Sequence, residues 1–379
     1  MKKNAVILFI FLVVSLLGTS FKVTASERLE LFVDDVKIDG HEQPFLKSNG
    51  QVWLPVQPVF EAAGFHVTNE KSGHLQVTNS FLTIEFQPRT GVITVNGEAK
   101  KTDFPLTLRN AGNYISSDFL SSLEGFKVNI PKDQSAVYVT TNQVQDIAPF
   151  LDKVAAKEIS GYSSTSKLEH RTIFSYDPEV VKFTIDTDLI VNEVQGALFM
   201  KTAMATKLKG RPVKQTSEMF LTKEGILEYK EEIRKWVHLE DEPSAEFMES
   251  VLPGPHPIEQ LKEIGEDETL QLYDYGDVFV LVQRITDRDN EDDFVSSKTV
   301  RYTSTQFDKR TFLPIHALTI TDTTIDTDKD SVSIHEQLHR SFIHDDTVKQ
   351  IRIPEKVLKD AISEKAYWKE IGLFDELDE

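Results

Sequence analysis

From Val180 onward the chain alternates between apolar and polar side chains. Every second residue from Val181 to Val191 is apolar or β-branched, and most of the residues between them are polar. A period of two is typical of a β-strand that packs one face against a core. The pattern predicts a run of antiparallel strands in this half of the chain, with a hairpin over 218–229 and a last strand over 348–353.

Helical spacing of apolar residues is limited to short segments between residue 146 and the end of the chain. The run from Phe150 to Ala155 fits a helix. Pro354 is suited to open a terminal helix, because the N–H that proline lacks has no partner in the first turn. We therefore predict helices around 150–155, over 246–252, over 258–264 and over 355–364.

An internal repeat occupies residues 29–142. Leu54-Pro55 in the first copy matches Ile115-Ser116 in the second at an offset of 61 residues, and a Gly-Phe pair follows each of them. Glycine most easily takes the left-handed conformation that ends a helix. Each copy is predicted as strand, turn, strand, short helix and strand, with helices over 56–63 and 117–123. Two such copies would bury each other's apolar faces and form one small α+β unit.

The repeat resembles the copper amine oxidase N-terminal-like domain, a stalk domain of secreted bacterial proteins. The resemblance is carried by Asn49-Gly50-Gln51-Val52-Trp53-Leu54-Pro55-Val56 and by Val95-Asn96-Gly97, whereas Ser116 stands where the second copy should have a proline. The redox cofactor of the oxidase arises from a tyrosine in a T-x-x-N-Y context in another domain, and Asn113-Tyr114 here lacks the threonine. The resemblance therefore implies an attachment or spacer domain rather than a copper enzyme.

The order of elements over 146–379 resembles the lipoprotein-carrier superfamily (LolA/LppX-like). A leading helix, many antiparallel strands, helices in the middle and a final helix follow one another, with short signatures at 220–229, Lys235-Trp236 and 351–357. The resemblance implies a curved antiparallel half-barrel sheet covered by helices. For the whole chain we therefore predict an α+β fold, in which the two-repeat stalk domain over 29–142 precedes the half-barrel.

Residues 1–26 have the three parts of a secretory signal peptide. Lys2 and Lys3 give a positive start, Ala5–Leu17 is an uncharged apolar run, and Thr24-Ala25-Ser26 offers small residues for cleavage. The apolar run is shorter than the roughly 20 residues that span a bilayer. We therefore expect cleavage, no stable transmembrane span afterwards, and a secreted or cell-surface protein.

The amino-acid composition limits the classes of partner and cofactor that we expect. The chain carries a formal charge of −19 and contains no cysteine. A surface this acidic repels nucleic acid at long range, and a chain without thiols has neither a disulfide framework nor a thiolate metal ligand. The sequence also contains no G-x-S-x-G motif and no phosphate-binding glycine loop. We expect no nucleic-acid partner and no cofactor.

Residues 335–339 match the H-E-x-x-H motif of zinc peptidases. In those enzymes both histidines lie on one face of a helix, and the glutamate between them activates water. A zinc-dependent peptidase that uses His335, Glu336 and His339 is therefore an alternative function. A convincing third ligand is missing, because Glu364 and Glu370 stand in the right range without a motif.

The alternation around this motif favours a strand over a helix. Apolar residues hold every second position from Val332 to Phe342, and only Glu336 and Arg340 interrupt them. On a strand the two histidines of the motif would lie about 13 Å apart, too far to share one zinc ion. We therefore interpret them as exposed strand residues and expect neither a metal site nor an enzyme.

Two acidic stretches, 287–293 and 326–330, are predicted as solvated turns. The second resembles the start of a calcium loop. However, Ser331 and Gln337 stand where that loop needs glycine and glutamate. Weak calcium binding stays an open alternative for both stretches.

Aromatic residues on the predicted strands are candidates for the lining of an apolar cavity. They are Phe183, Phe220, Tyr229, Trp236, Tyr273 and Phe279. The alternative is that they fill a solid core. Burial of an acyl chain contributes about 0.8 kcal/mol per CH₂, so a cavity would bind such a chain without any chemistry.

Three hypotheses follow. The first is an exported non-enzymatic protein that binds an apolar small molecule, a lipid or a cell-envelope component. The second is the zinc peptidase. The third is a purely structural envelope protein whose sheet is solid.

Overall fold

The computed structural model describes most of the chain after residue 28. The predicted signal peptide (1–26) and the helices predicted over 246–252 and 258–264 lie outside the described residues. The described residues are 29–40, 43–46, 50–69, 74–87, 90–100, 105–109, 112–133, 135–157, 161–175, 180–192, 197–208, 211–222, 225–240, 268–292, 295–327, 330–344 and 351–371.

The chain forms two compact units. The first comprises the described residues up to Gln76 and those within Glu85–Thr94 and Glu98–Thr141. The second comprises the chain from Asn142 onward together with two short segments of the repeat, Val77–Ile84 and Val95–Gly97.

The repeat region consists of short strands and two short helices. In chain order they are β1 (Glu30–Val33), β2 (Val36–Lys37), β3 (Phe45–Leu46), β4 (Val52–Pro55), α1 (Val56–Ala62), β5 (His66–Asn69), β6 (Leu75–Thr78), β7 (Thr83–Gln87), β8 (Val92–Val95), β9 (Glu98–Ala99), β10 (Leu106–Arg109), β11 (Gly112–Ser116), α2 (Ser117–Ser122), β12 (Lys127–Asn129) and β13 (Ala136–Thr140). They form sheets in the orders β12-β13-β1-β2, β10-β11-β4-β3 and β5-β6-β7-β8-β9.

The predicted repeat is present in this fold. An offset of 61 residues carries the start of α1 at Val56 onto the start of α2 at Ser117. The same offset carries β5 and β6 onto β12 and β13. Both predicted helices are confirmed, and each is followed by a glycine with a left-handed backbone, Gly64 at φ 79° and Gly125 at φ 85°.

Local side-chain chemistry explains where α2 and two of the turns form. The Ser116 hydroxyl accepts a hydrogen bond from the Phe119 N–H at 3.3 Å, which caps α2 at the position that Pro55 holds in the first copy. The turns β1–β2 and β8–β9 place Asp34-Asp35 and Asn96-Gly97 at positive φ, as type I′ hairpin turns require.

The two copies meet through β4 and β11, which are neighbours in one four-stranded sheet. Leu54 lies directly opposite Ile115 in this antiparallel pair. Both side chains are fully buried. The prediction that each copy buries an apolar part of the other is confirmed at this pair.

From Asn142 onward the described chain forms one large sheet and three short helices. The elements are β14 (Gln143–Val144), α3 (Ala148–Ala155), β15 (Gly161–Phe174), β16 (Val180–Asn192), β17 (Ala197–Leu208), β18 (Arg211–Thr222), β19 (Gly225–Lys230), β20 (Lys235–Glu240), β21 (Glu268–Tyr275), β22 (Val278–Asp292), β23 (Val295–Asp308), β24 (Pro314–Thr327), β25 (Ser331–His344), α4 (Glu355–Asp360), β26 (Ile362–Ser363) and α5 (Glu364–Glu370).

Two meanders make up the sheet. The strand order is β14-β21-β22-β23-β24-β25-β15-β16-β17-β18-β19-β20-β26. Strands β15 to β20 follow one another, as do β21 to β25. The two runs are joined where β15 pairs antiparallel with β25, from Tyr162 opposite His344 to Phe174 opposite Val332.

The predicted α+β class is wrong. Strands make up 65% of the described residues and helices 13%. The long strands of the large sheet have 12 to 15 residues, whereas α3, α4 and α5 have 8, 6 and 7 residues. Sequence reasoning also missed β15 and β17, because polar and apolar residues do not alternate cleanly along either strand.

Several local predictions have clear outcomes. The hairpin over 218–229 and the strand over 331–343 are confirmed as β18–β19 and β25. Wrong predictions are the loop over 287–293, where β22 continues to Asp292, and the single helix over 355–364, which is split into α4 and α5. The described part of the strand predicted over 348–353, residues 351–353, is not a strand.

Cross-strand register defines the two faces of the large sheet, because residues directly opposite each other point to the same side. Phe150 of α3 packs its ring against Phe279 and Phe307, with centroids 5.3 and 5.2 Å apart. Leu272 and Leu281 belong to the same buried cluster. We call this side of the sheet the α3 face and the other side the opposite face.

Candidate ligand-binding site

The α3 face carries partly buried apolar side chains where it crosses β25, β15, β16 and β17. Leu338 lies opposite Leu168, Leu168 opposite Ile185, and Ile185 opposite Met204. All four side chains are half-buried. Neighbouring strands lie about 4.8 Å apart, so this first apolar row spans about 14 Å.

A second apolar row runs parallel to the first, four residues further along each strand. It contains Phe342, Leu189, Met200 and Met219, with the buried Ser164 of β15 between Phe342 and Leu189. With Met204 of the first row, these rows hold three of the chain's five methionines. Methionine is flexible and polarizable, so it adapts to apolar groups of irregular shape.

A polar row separates the two apolar rows. Arg340 lies opposite Ser166, and the row continues through Thr187, Thr202 and Ser217. It contains one guanidinium and four hydroxyls. Both apolar rows therefore flank the same positive charge.

Arg340 is half-buried on the α3 face. Its guanidinium lies 5.9 Å from the centre of the Phe342 ring. Within the described ranges it forms no ion pair with a carboxylate. The five N–H donors of a guanidinium are thus presented to an apolar surface without a carboxylate from the described chain.

Glu336, the other charged residue that interrupts the alternation of β25, has a partner. His170 lies opposite Glu336, and its Nδ1 is 2.9 Å from the Glu336 carboxylate. The Nε2 of the same ring is 2.6 Å from the Thr172 hydroxyl. The His170 ring also stacks on Phe183 with centroids 4.2 Å apart, so this group forms one end of the half-buried area.

A fully packed cluster forms the other end. Its buried members are Tyr162, Leu189, Val191, Leu198, Leu221 and Ile226. Leu189 of the second apolar row is a member of this cluster, and the other residues of that row, Phe342, Met200 and Met219, pack against it. The half-buried rows are therefore continuous with a solid core on one side and with the His170 group on the other.

The six aromatic residues proposed to line one cavity are divided between the two faces. Phe183 and Phe279 lie on the α3 face, and Phe279 is packed against the α3 core. The other four lie on the opposite face: Phe220, Tyr229, Trp236 and Tyr273. The structure does not bring the six together, and ligand binding by any of them stays a prediction.

The H-E-x-x-H segment lies on β25, as the alternation predicted, and not on a helix. Successive strand residues point to opposite sides, so Glu336 faces away from His335 and His339. The His335 Nδ1 is 2.7 Å from an Asp322 carboxylate oxygen, and the His339 Nε2 is 2.7 Å from the Gln337 side chain. The geometry that a helical zinc motif needs is absent from this strand.

The two candidate third ligands of the zinc hypothesis have other contacts. Glu364 accepts a hydrogen bond from the Trp368 indole at 3.1 Å, and Glu370 accepts from Lys235 at 2.9 Å. Among the residues that the structure describes, no group of three or more His, Asp or Glu side chains is placed to hold a metal ion.

The opposite face is polar where it crosses β15 and β16. A pocket of about 300 Å³ there is lined by residues of this face, which are Thr165, Lys167, Asp186, Asp188, His339 and Ser341. Ser166 and Thr187, whose side chains belong to the polar row of the α3 face, also border it. The imidazoles of His339 and His316 lie 6.1 Å apart. Burial lowers the pKa of both histidines, and His339 lowers that of His316 further.

Sequence reasoning found part of the site. It identified Arg340 as an interruption in an apolar strand pattern, but it gave that interruption no role. Leu168, Met200 and Met204 were missed because β15 and β17 were not predicted. A charged residue at an apolar strand position was the signal available in the sequence.

No helix in the described ranges is long and apolar enough to cross a membrane.

Comparison with known protein families gives two matches. The copper amine oxidase N-terminal domain family matches residues 32–139, which confirms the resemblance inferred from the repeat. A family of unknown function (DUF6612) matches residues 151–290. No curated protein matches the chain. Because the second match names no activity, the resemblance to the lipoprotein-carrier superfamily stays a prediction.

Two solved structures show a weak similarity to this chain. An S-type phycobiliprotein lyase from Guillardia theta matches at 10% identity and a TM-score of 0.15, over 55% of this chain and 95% of that chain. A DUF1329 family protein from Desulfovibrio piger matches at 8% identity and a TM-score of 0.15, over 54% and 96%. At such TM-scores neither supports an argument about fold or function.

Proposed function

We propose that this chain is an exported, non-enzymatic binding protein of the cell envelope. Its N-terminal repeat attaches or spaces the protein, and its large sheet holds an apolar ligand on the α3 face. The observation that carries this proposal is the pair of half-buried apolar rows on β25, β15, β16, β17 and β18.

Physical chemistry supports binding at these rows without catalysis. Each CH₂ group that a ligand buries contributes about 0.8 kcal/mol. The rows offer flexible methionine side chains, which repack around ligands of different shape. The first row alone is about 14 Å long, enough to cover much of an extended acyl chain.

The proposed location rests on the first part of the chain. The copper amine oxidase N-terminal domain match over 32–139 supports an attachment or spacer role. The apolar run with small residues at its end, in residues 1–26, supports export. Neither part requires a metal or a redox cofactor.

The test is an analysis of what the protein carries when it is purified. The full chain is expressed in its export pathway, purified without detergent and extracted with organic solvent, and the extract is examined by mass spectrometry. A reproducible lipid in near-stoichiometric amount supports the proposal. Its absence, together with failure of the neutral fluorescent probe N-phenyl-1-naphthylamine to bind, would favour a purely structural protein.

A further inference from the structure

The polar row on the α3 face gives the proposed binding site a chemical preference. We infer that the ligand is a long-chain carboxylate, whose chain lies on the apolar rows and whose head group pairs with Arg340. This inference rests on the proposed function and adds the class of ligand.

The placement of Arg340 is the first argument. Arg340 stands at an otherwise apolar position of β25, between Leu338 and Phe342 on the same face. A partly buried charge is costly unless a partner compensates it. Within the described ranges no carboxylate of the chain pairs with Arg340, whereas Glu336 on the same strand does have a partner, His170. A ligand carboxylate would supply the missing countercharge.

The chemistry of the row favours a carboxylate over other anionic groups. A planar guanidinium binds a carboxylate through two parallel hydrogen bonds. The neighbours along the row, Ser166 and Thr187, contribute hydroxyls and no further positive charge. One guanidinium balances a head group of one negative charge. A dianionic phosphate would bring a second charge into a protein whose own charge is −19.

The positions of Arg340 and the methionines determine the direction in which the acyl chain of the ligand would lie. Arg340 is on β25, and the methionines are on β17 and β18, at the far end of the apolar rows. A carboxylate at Arg340 therefore directs the acyl chain across β15 and β16 towards Met200, Met204 and Met219. The site has a polar end and an apolar end.

The test compares a fluorescent fatty acid, cis-parinaric acid, with its methyl ester on the delipidated full chain. The two probes share the apolar chain and differ only in the charge of the head group. We expect the acid to bind at least about tenfold more tightly than the ester, as hydrogen bonds to a charged group imply. Arg340→Gln should remove this preference by weakening the acid and leaving the ester unchanged.

Two control variants separate head-group recognition from a folding defect. Arg340→Lys keeps the positive charge but loses the planar guanidinium that forms two parallel hydrogen bonds. This variant should retain part of the preference for the acid over the ester. Lys167→Gln removes a positive charge from the neighbouring strand on the opposite face, and should leave both probes unchanged. Circular dichroism of every variant checks the fold.

The outcomes distinguish this inference from the proposed function. Equal binding of acid and ester to the wild type would overturn the carboxylate preference and leave apolar binding intact. Equal loss of both probes in Arg340→Gln would also overturn it, because the residue would then be structural. Stronger competition by hexadecyl phosphate than by palmitate would overturn the assigned class. Failure of both probes would overturn the proposed function and this inference together.

Discussion

Leu54 lies directly opposite Ile115 where β4 pairs with β11, and the two residues hold the same position in the two copies of the repeat. Both are fully buried. The two copies therefore contact each other through equivalent strands, and the equivalent residues Leu54 and Ile115 face each other at the centre of the strand pair. Each copy thus contributes one buried side chain to this contact.

We expect Leu54→Ala and Ile115→Ala each to lower the free energy of unfolding of the repeat by about 2–5 kcal/mol, because each leaves a cavity in a closed core. Together the two changes should be non-additive by about 0.5–3 kcal/mol, since the side chains are neighbours. Denaturant unfolding followed by Trp53 fluorescence measures this, in a chain whose other two tryptophans are replaced by phenylalanine.

A surface leucine on the same sheet provides the control. Leu108 is 70% exposed, so Leu108→Ala should change the free energy of unfolding by no more than about 0.5 kcal/mol. If Leu54→Ala unfolds no earlier than this control, the core assigned to the repeat is wrong.

A neighbouring pair of residues on β17 tests the binding face. Met204 is on the α3 face and Ala203 is on the opposite face, and both are half-buried. Met204→Glu puts a charge into the first apolar row and should weaken N-phenyl-1-naphthylamine binding at least about tenfold, since burying a carboxylate is costly. Ala203→Glu should leave the probe bound. Equal effects of the two variants in a fluorescence titration would contradict the assignment of the face.

The pair His316 and His339 predicts how stability depends on pH. Burial lowers the pKa of each below the usual value, so the unfolded chain binds more protons between the folded and unfolded pKa values. The contribution of these two histidines to the free energy of unfolding is therefore fully present above the pKa of an unfolded histidine, about 6.5. It falls as the pH drops from there towards their lowered pKa values in the folded protein.

Thermal unfolding of the wild type should show this loss on acidification below about pH 6.5. The double variant His316→Gln with His339→Gln should lose less stability over the same interval, because the two groups no longer take up protons on unfolding. An unchanged pH dependence in the double variant would show that other groups control the acid response.

We expect no stoichiometric zinc in the purified protein. His335 and Glu336 lie on opposite faces of β25, and each has a side-chain partner, Asp322 and His170. Elemental analysis by mass spectrometry measures the zinc content. Zinc at one equivalent that is lost in His339→Ala would restore the peptidase hypothesis.

Local sequence patterns predicted the elements that alternate cleanly. The strand over 331–343 followed from its period of two, and the two helices of the repeat followed from the offset of 61 residues. The α+β class failed for a different reason. Apolar periodicity indicates which face of an element is buried, but it does not show how far a strand extends beyond the core, and here β22 continues through an acidic stretch to Asp292.

The candidate site was less predictable because it depends on pairing across the sequence. Arg340 faces Ser166 only through the pairing of β25 with β15, and β15 has too many serines and threonines to show a strong alternation. The interruption at Arg340 was visible in the sequence. Its neighbours in the polar row were not, since they come from the four strands β15 to β18, which are distant from β25 in the chain.

The pairing of β15 with β25 also determines when the site can exist during synthesis. These strands are the first and the last of the long strands in the sheet, and Arg340 and Ser166 lie on either side of their junction. Contacts between residues so far apart in the chain form slowly, because a long loop must close first. A chain that emerges from its N-terminus can therefore complete the repeat early, whereas the α3 face is completed only when β25 has been made.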